Sequence, residues 1–433
     1  MAKCSFKQFS KFFIPIYICI AFLPAFSAPR SVAELPDALA LVLRAQPDSV
    51  APADSLTCPE EEDTLEMQEL SLPQRLEKLL DNEIFLRTQV GLYVYDLTAD
   101  SVVFAHNERQ CMRPASCEKL VTAITALEEL GGNHLFRTSF LATGETSDSL
   151  FTGNLCVRGG YDPLLDESDL DAFCDSLRRR GVRVIQNDIF LDLSFKDDKR
   201  LGWGWCWDDE AVPLTPLLFR NRDTFQSHLR QAFAKANIRW EGSFTERRVP
   251  SDAETLCERT HTIDQVLEPM MKKSDNSMAE ALFYQLAHRQ GGQGASRKHA
   301  VRLISRLVKR LDLDADHYQF ADGSGLSLYN YVTPELLGCL LRHAHRHPAI
   351  FNHLKSSLPV AGIDGTLRKR MRGSAAEGKV FAKTGTVEGV STLAGYALTS
   401  AGNLLAFVVM NQGIRHTSTG RNFQDRVCKT LVK

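Results

Sequence analysis

Strand-forming sequence lies near both ends of this chain and helix-forming sequence fills the middle, so a sheet that pairs them must be closed by strands from opposite termini. Strand-like segments at 91–96 and 101–105, joined by a turn at Ala99-Asp100, read as a hairpin. Near the other end, 379–386, 391–399 and 403–410 read as a meander turning at Ala401-Gly402, and a last helix follows over 420–431. Helical spacing recurs between them at 225–236, 263–271, 277–289, 297–311 and 334–345. The compact fold begins near Leu72, where Leu76, Leu79 and Leu80 take helical spacing. Residues 144–254, with strand patterns at 154–158 and 188–193, read as a mainly β domain inserted into a discontinuous main domain of 71–143 and 255–433. A length of 433 residues suits that division.

The first 28 residues differ from the rest. Lys3, Lys7 and Lys11 lead into an apolar run over 12–23, and the small residues Ala25 and Ser27 follow, which is the layout of a secretory signal peptide. The run is about half of what a membrane span needs. The expectation is a soluble exported protein, periplasmic or otherwise extracytoplasmic; a retained leader, giving peripheral membrane association, is the alternative. Residues 29–70 are rich in Ala, Pro, Asp and Ser and read as a flexible spacer. The 51 Lys and Arg against 53 Asp and Glu leave a net charge of −2, which gives nucleic acid no footprint. Eleven cysteines are scattered without CxxC spacing, so neither a zinc site nor a dense disulfide framework is indicated, and most read as small buried hydrophobes. His343, His345 and His347 read as a solvated helix end rather than metal ligands. No cofactor is implied.

The chemistry is carried by three short motifs in a fixed order: Ser116-x-x-Lys119, Ser274-Asp275-Asn276 and Lys383-Thr384-Gly385. Each alone has a plainer reading, as a helix cap with a surface lysine, an interhelical turn, and an edge strand. All three in this order arise by chance in roughly one chain in several hundred at average composition. Residues three apart on a helix share a face, so the Lys119 amine can approach the Ser116 hydroxyl. A serine hydroxyl needs a base to become a nucleophile, and a lysine serves only if desolvation or a nearby cation lowers its pKa. Lys383 is a candidate for that cation. Backbone N–H groups at the helix start suit a developing oxyanion.

With these motifs the chain resembles the low-molecular-mass class C penicillin-binding proteins, the D-alanyl-D-alanine carboxypeptidase/endopeptidase family. Further blocks carry the resemblance: Arg113-Pro114-Ala115, Gly159-Gly160-Tyr161-Asp162-Pro163, Gly204-Trp205-Cys206-Trp207-Asp208-Asp209, Asp322-Gly323-Ser324-Gly325-Leu326-Ser327, Leu358-Pro359-Val360-Ala361-Gly362 and Asp364-Gly365-Thr366-Leu367. The resemblance covers about residues 75–430. It implies an α/β fold of the serine β-lactamase and penicillin-binding-protein type, an antiparallel sheet flanked by helices. It also implies a serine peptidase acting on peptidoglycan stem peptides and cross-links through an acyl-enzyme, with β-lactams as covalent inhibitors. By resemblance, Ser116 is the nucleophile, Lys119 the base and Ser274 the proton relay. Asn276 would hold the substrate's acyl side chain, Lys383 and Thr384 its terminal carboxylate, and the N–H groups of Ser116 and Thr386 the oxyanion. Asp209 would face the substrate's side-chain amine.

Two departures stand out. Ser116 and Ser274 are 158 residues apart, where the family carries a longer insertion; the shortening falls just after Leu217-Leu218 and implies loss of an inserted subdomain. Cys117-Glu118 inside the first motif is unusual, and these side chains are expected to point away from the active face. A β-lactamase, which would need a dedicated deacylating group, a transpeptidase, and a non-catalytic peptidoglycan-binding protein remain as rival readings.

Overall fold

In a computed structural model the protein is described over residues 70–206, 209 and 211–433. The expected leader at 1–28, nearly all of the spacer at 29–70, and Trp207 and Asp208 lie outside the described residues.

Strands from both ends do meet in one antiparallel sheet. The hairpin forms β1 (Gln89–Asp96) and β2 (Ser101–His106). Strands β3 (Leu135–Thr143), β4 (Asn154–Gly159), β5 (Ile189–Asp192), β6 (Phe244–Glu246) and β7 (Glu254–Thr262) follow in the middle. The meander forms β8 (Val380–Val387), β9 (Val390–Leu398) and β10 (Leu404–Gln412). The first sheet has the order β8-β9-β10-β1-β2, closed by antiparallel pairing of β1 with β10.

Both faces of this sheet are covered, which is why its central strands are apolar without interruption. On β10, Ala406, Val408 and Met410 enter one core while Leu405, Phe407 and Val409 enter the other. The first core is filled by α2 (Glu118–Leu130), α5 (Ile263–Lys272), α6 (Asn276–Gly291), α7 (Arg297–Arg310), α8 (Pro334–Arg346) and α9 (Pro348–Ser357). The second is covered by α1 (Leu72–Leu80) and α10 (Thr417–Leu431). Helix α2 is buried from Glu118 to Leu127, so it runs through the core rather than over it. Each fully buried Leu, Val or Phe contributes about 1.5–3 kcal/mol of apolar transfer.

The second sheet has the order β6-β5-β4-β3-β7 and is mixed, with β4, β5 and β6 parallel. It carries its own core, to which α3 (Glu167–Arg179) and α4 (Phe225–Lys235) contribute Phe173, Leu177, Leu229 and Phe233. The boundaries read from sequence, 144 and 254, cut through this sheet. Strand β3 pairs with β4 over 138–143 and with β7 over 135–142.

All eight cysteines among the described residues are free, and five are buried, in keeping with a packing role. His343 bonds Glu128, and His347 donates to the His343 carbonyl.

Candidate active site

Ser116 sits in a single 3-10 turn, Ala115–Cys117, immediately before α2. Ala115 takes φ 45, a region few non-glycine residues adopt. The turn is held from outside. A Cβ on Gly325 would lie 1.9 Å from the Ala115 carbonyl oxygen, so the 322–330 loop packs backbone to backbone against it. Lys119, on the first turn of α2, is fully buried. Its Nζ donates to Ser116 Oγ at 3.1 Å, Asn276 Oδ1 at 2.7 Å and the Ser324 carbonyl at 2.7 Å.

The second motif forms the turn between α5 and α6. Ser274 takes φ 61, one of the strained backbone positions that persist where surroundings enforce them. Asp275 caps α6 by accepting from Met278 N. Both its oxygens also accept from Asn221 Nδ2, at 3.1 and 3.0 Å, which ties the turn to the insertion. Asn276 is the first residue of α6 and reaches Lys119.

The third motif lies on the edge strand β8. Lys383, fully buried, donates to Ser274 Oγ at 2.8 Å and to the Thr384 carbonyl at 2.6 Å. Thr384 Oγ1 meets Thr366 Oγ1 at 2.8 Å. Gly385 is required by close approach: a Cβ there would lie 2.1 Å from Thr392 Oγ1, 2.7 Å from the Pro114 carbonyl oxygen and 3.0 Å from Ser116 N. The strand thus presses against the backbone of the Ser116 turn, with Thr386 next along it and exposed. Gly385→Ala is expected to push β8 off this turn, costing about 1–3 kcal/mol of stability and slowing acylation of Ser116; thermal melting and a stopped-flow acylation rate measure both.

Burial lowers the Lys119 pKa to about 8, against the opposing pull of Asp322, Glu280 and Asp275. Burial and the neighbouring Lys119 charge lower Lys383 to about 7. Desolvation, rather than the second cation, therefore prepares Lys119, and the repulsion between the amines acts most on Lys383. A neutral Lys119 can keep two N–H donors on Asn276 and Ser324 and turn its lone pair to the Ser116 hydroxyl.

Sequence reasoning did not assign the supports of this pocket. Asp322, buried, accepts from the backbone N–H groups of Gly325 and Ser327, from Asn330 Nδ2 and from Trp205 Nε1. It thereby shapes the loop that presents the Ser324 carbonyl and holds the 201–206 segment against it. Glu280 accepts from Gly323 N, and burial with Asp322 nearby raises its pKa to about 8. Glu118 is buried with neither oxygen hydrogen-bonded among the described residues, and burial pushes its pKa well up. Cys117 does not face solvent either; its thiol donates to the Lys383 carbonyl at 3.2 Å. The Asp322–Ser327 block was legible as a motif, but its contacts were not.

The structure brings together two hydrogen-bonded sets, Ser116, Lys119 and Asn276 in one and Ser274 and Lys383 in the other, set side by side where β8 presses on the Ser116 turn and the Lys119 charge acts on Lys383, with Thr384 and Thr386 on the same strand. Asp209 is not drawn in: its Oδ2 accepts from Cys206 N at 2.6 Å, closing its own loop, and no hydrogen bond links it to the cluster among the described residues.

The profile of the family described as D-Ala-D-Ala carboxypeptidase 3 (S13) matches residues 72–218 and 214–432. A D-alanyl-D-alanine carboxypeptidase of Actinomadura sp. (strain R39) is 27% identical, the alignment covering 79% of this chain and 81% of that protein. The crystal structure of penicillin binding protein 4 (dacB) from Haemophilus influenzae superposes with a TM-score of 0.74 at 21% identity, covering 82% of this chain and 99% of that one. Its complex with a novel β-lactam superposes with a TM-score of 0.69 at 22% identity, covering 84% and 100%. The two family matches meet at 214–218, where the sequence places the shortened insertion.

Proposed function

Because this chain belongs to the D-Ala-D-Ala carboxypeptidase 3 (S13) family of serine peptidases, we propose that it hydrolyses the D-alanyl-D-alanine end of peptidoglycan stem peptides, and the equivalent bond of cross-links, through an ester on Ser116. The observation that carries this reading is the hydrogen bond from a buried, pKa-lowered Lys119 amine to Ser116 Oγ at 3.1 Å.

Neutral Lys119 takes the Ser116 proton as Oγ attacks the carbonyl carbon of the penultimate D-alanine. The N–H groups of Ser116 and Thr386 receive the oxyanion. Charged Lys383, with Thr384, holds the terminal carboxylate, and Asn276 holds the acyl side chain. The C–N bond then breaks as the proton taken up by Lys119 passes by way of the Ser274 hydroxyl to the departing amine, which leaves Lys119 neutral again. Water attacks the ester, Lys119 accepts its proton and returns it to Ser116 Oγ as the ester bond breaks, and Ser116 is restored. A β-lactam presents a comparable amide and carboxylate and is expected to stop at the ester. The acidic groups whose charges act on Lys119, namely Asp322, Glu280 and Asp275, make no hydrogen bond to Ser116 among the described residues, which favours a peptidase over a β-lactamase.

The leader-like residues 1–28 and an extracytoplasmic substrate support placement outside the cytoplasm. Among the described residues, no helix is long and apolar enough to cross a membrane. Purified protein is expected to release D-alanine from a stem pentapeptide and to gain one penicillin mass on the peptide bearing Ser116. Protein that does neither, under conditions where its thermal melt shows it folded, would sink the assignment.

A further inference from the structure

We propose that Arg421, on helix α10 and outside all three motifs, is a further substrate-binding residue, whose guanidinium takes the terminal carboxylate of the substrate together with Thr384 and Thr386. The inference rests on the function proposed above and names a residue that reads the group leaving as D-alanine.

The fold builds this placement. Val380 and Ala382 of β8 enter the second core, so by alternation Thr384 and Thr386 project on that same face of the strand. Helix α10 covers this face. It comes close enough at Gly420 that a Cβ there would lie 2.8 Å from the Ser391 Cβ, and Ser391 is the register partner of Thr386 on β9. One turn on, the buried Gln424 donates to Ser391 Oγ at 3.0 Å and to Asn411 Oδ1 at 3.3 Å, which fixes the helix on the sheet. The Arg421 carbonyl accepts from Arg370 Nη2 at 3.2 Å. With its backbone held in this way, the exposed Arg421 side chain extends Nη2 to Thr386 Oγ1 at 3.5 Å.

Without Arg421 the pocket is short of donors for a carboxylate, which offers about four lone-pair positions. Charged Lys383 already donates to Ser274 Oγ and the Thr384 carbonyl, which leaves one N–H, and the Thr384 hydroxyl is shared with Thr366. Arg421 adds a planar fork of N–H groups and a permanent charge. That charge is not spent elsewhere. Asp425, one turn along α10, is taken by Arg370 at 2.9 and 2.6 Å. Neither Arg421 nor Glu388, two residues beyond Thr386, makes an ion pair among the described residues. Thr384 and Thr386 lie about 6.6 Å apart along the strand, a span that a guanidinium resting on Thr386 can cover.

The test uses diacetyl-L-Lys-D-Ala-D-Ala and the same peptide ending in D-alaninamide, which keeps the scissile bond and removes the carboxylate. Arg421→Gln is expected to lower kcat/KM for the acid by about tenfold to hundredfold, the scale of one charge-assisted hydrogen bond, and to leave the amide within about twofold. Arg421→Lys, which keeps the charge without the fork, should recover part of the loss. Both variants should melt with wild type, because the side chain is exposed and the contacts of Gly420 and Gln424 are untouched. An unchanged acid would overturn the proposal. Equal losses on acid and amide would overturn it too, since Arg421 would then only steady β8 at Thr386. In a Ser116→Ala background, calorimetry should show Arg421→Gln weakening the acid by a like factor and sparing the amide. Wild type without turnover, but with that difference in binding, would sink the proposed reaction and leave the role of Arg421 standing. Turnover in which acid and amide respond alike to Arg421→Gln would do the reverse.

Discussion

Ser116→Ala is expected to abolish covalent labelling by penicillin and to slow D-alanine release by about a millionfold, the scale on which a serine hydrolase loses activity with its nucleophile. The pocket should otherwise survive. Ser116 Oγ has Lys119 as its partner, and Lys119 retains Asn276 Oδ1 and the Ser324 carbonyl when the hydroxyl is gone. The melting temperature should therefore stay within a degree or two of wild type, since removing one partly exposed hydroxyl seldom changes stability by more than about 0.5–1.5 kcal/mol. Intact-mass spectrometry after incubation with a penicillin decides the matter. An adduct of the same mass on Ser116→Ala would move the nucleophile elsewhere.

Lys119→Ala is expected to slow acylation by about 10²–10⁴, the usual contribution of a positioned general base, and to change the pH profile as well as its height. In wild type, Lys119 acts unprotonated with a pKa of about 8, so acylation rises as pH climbs through that value. Lys383 acts charged on the substrate carboxylate with a pKa of about 7, so the rate falls as pH passes through its titration. The kcat/KM profile is therefore bell-shaped, with its maximum between about 7 and about 8. In Lys119→Ala the rising limb should vanish and the falling limb remain. A rising limb that persists in the variant would show that another group takes the Ser116 proton.

Much of the architecture was legible because it is local. The 3.6-residue spacing of Leu76, Leu79 and Leu80 marked a helix that forms at Leu72–Leu80, and the strand-forming apolar runs over 91–96 and 403–410 marked strands that pair as β1 and β10. The insertion was harder. Strands β3 and β7 lie outside or at the boundaries read from the strand pattern, and β7 joins the sheet through its ladder with β3, Leu135 to Thr262 through Ala142 to Glu254. Asp209 shows the same limit at the site: a motif locates a residue in a loop but not the Cys206 N–H that takes its carboxylate.

The sequence by itself determined the chemistry: a hydroxyl and an amine three residues apart at a helix start, and a Ser-Asp-Asn turn and a Lys-Thr-Gly strand to complete them. Those are properties of side-chain type and short spacing. The tertiary structure alone decided whether they react, because a lysine becomes a base only in the environment that surrounds it. The loop shaped by Asp322, the approach of β8 at Gly385 and the grip of Asn221 on Asp275 are contacts across many tens to hundreds of residues. They remove water from two amines and hold Ser274 in a strained backbone conformation, and no local periodicity encodes them.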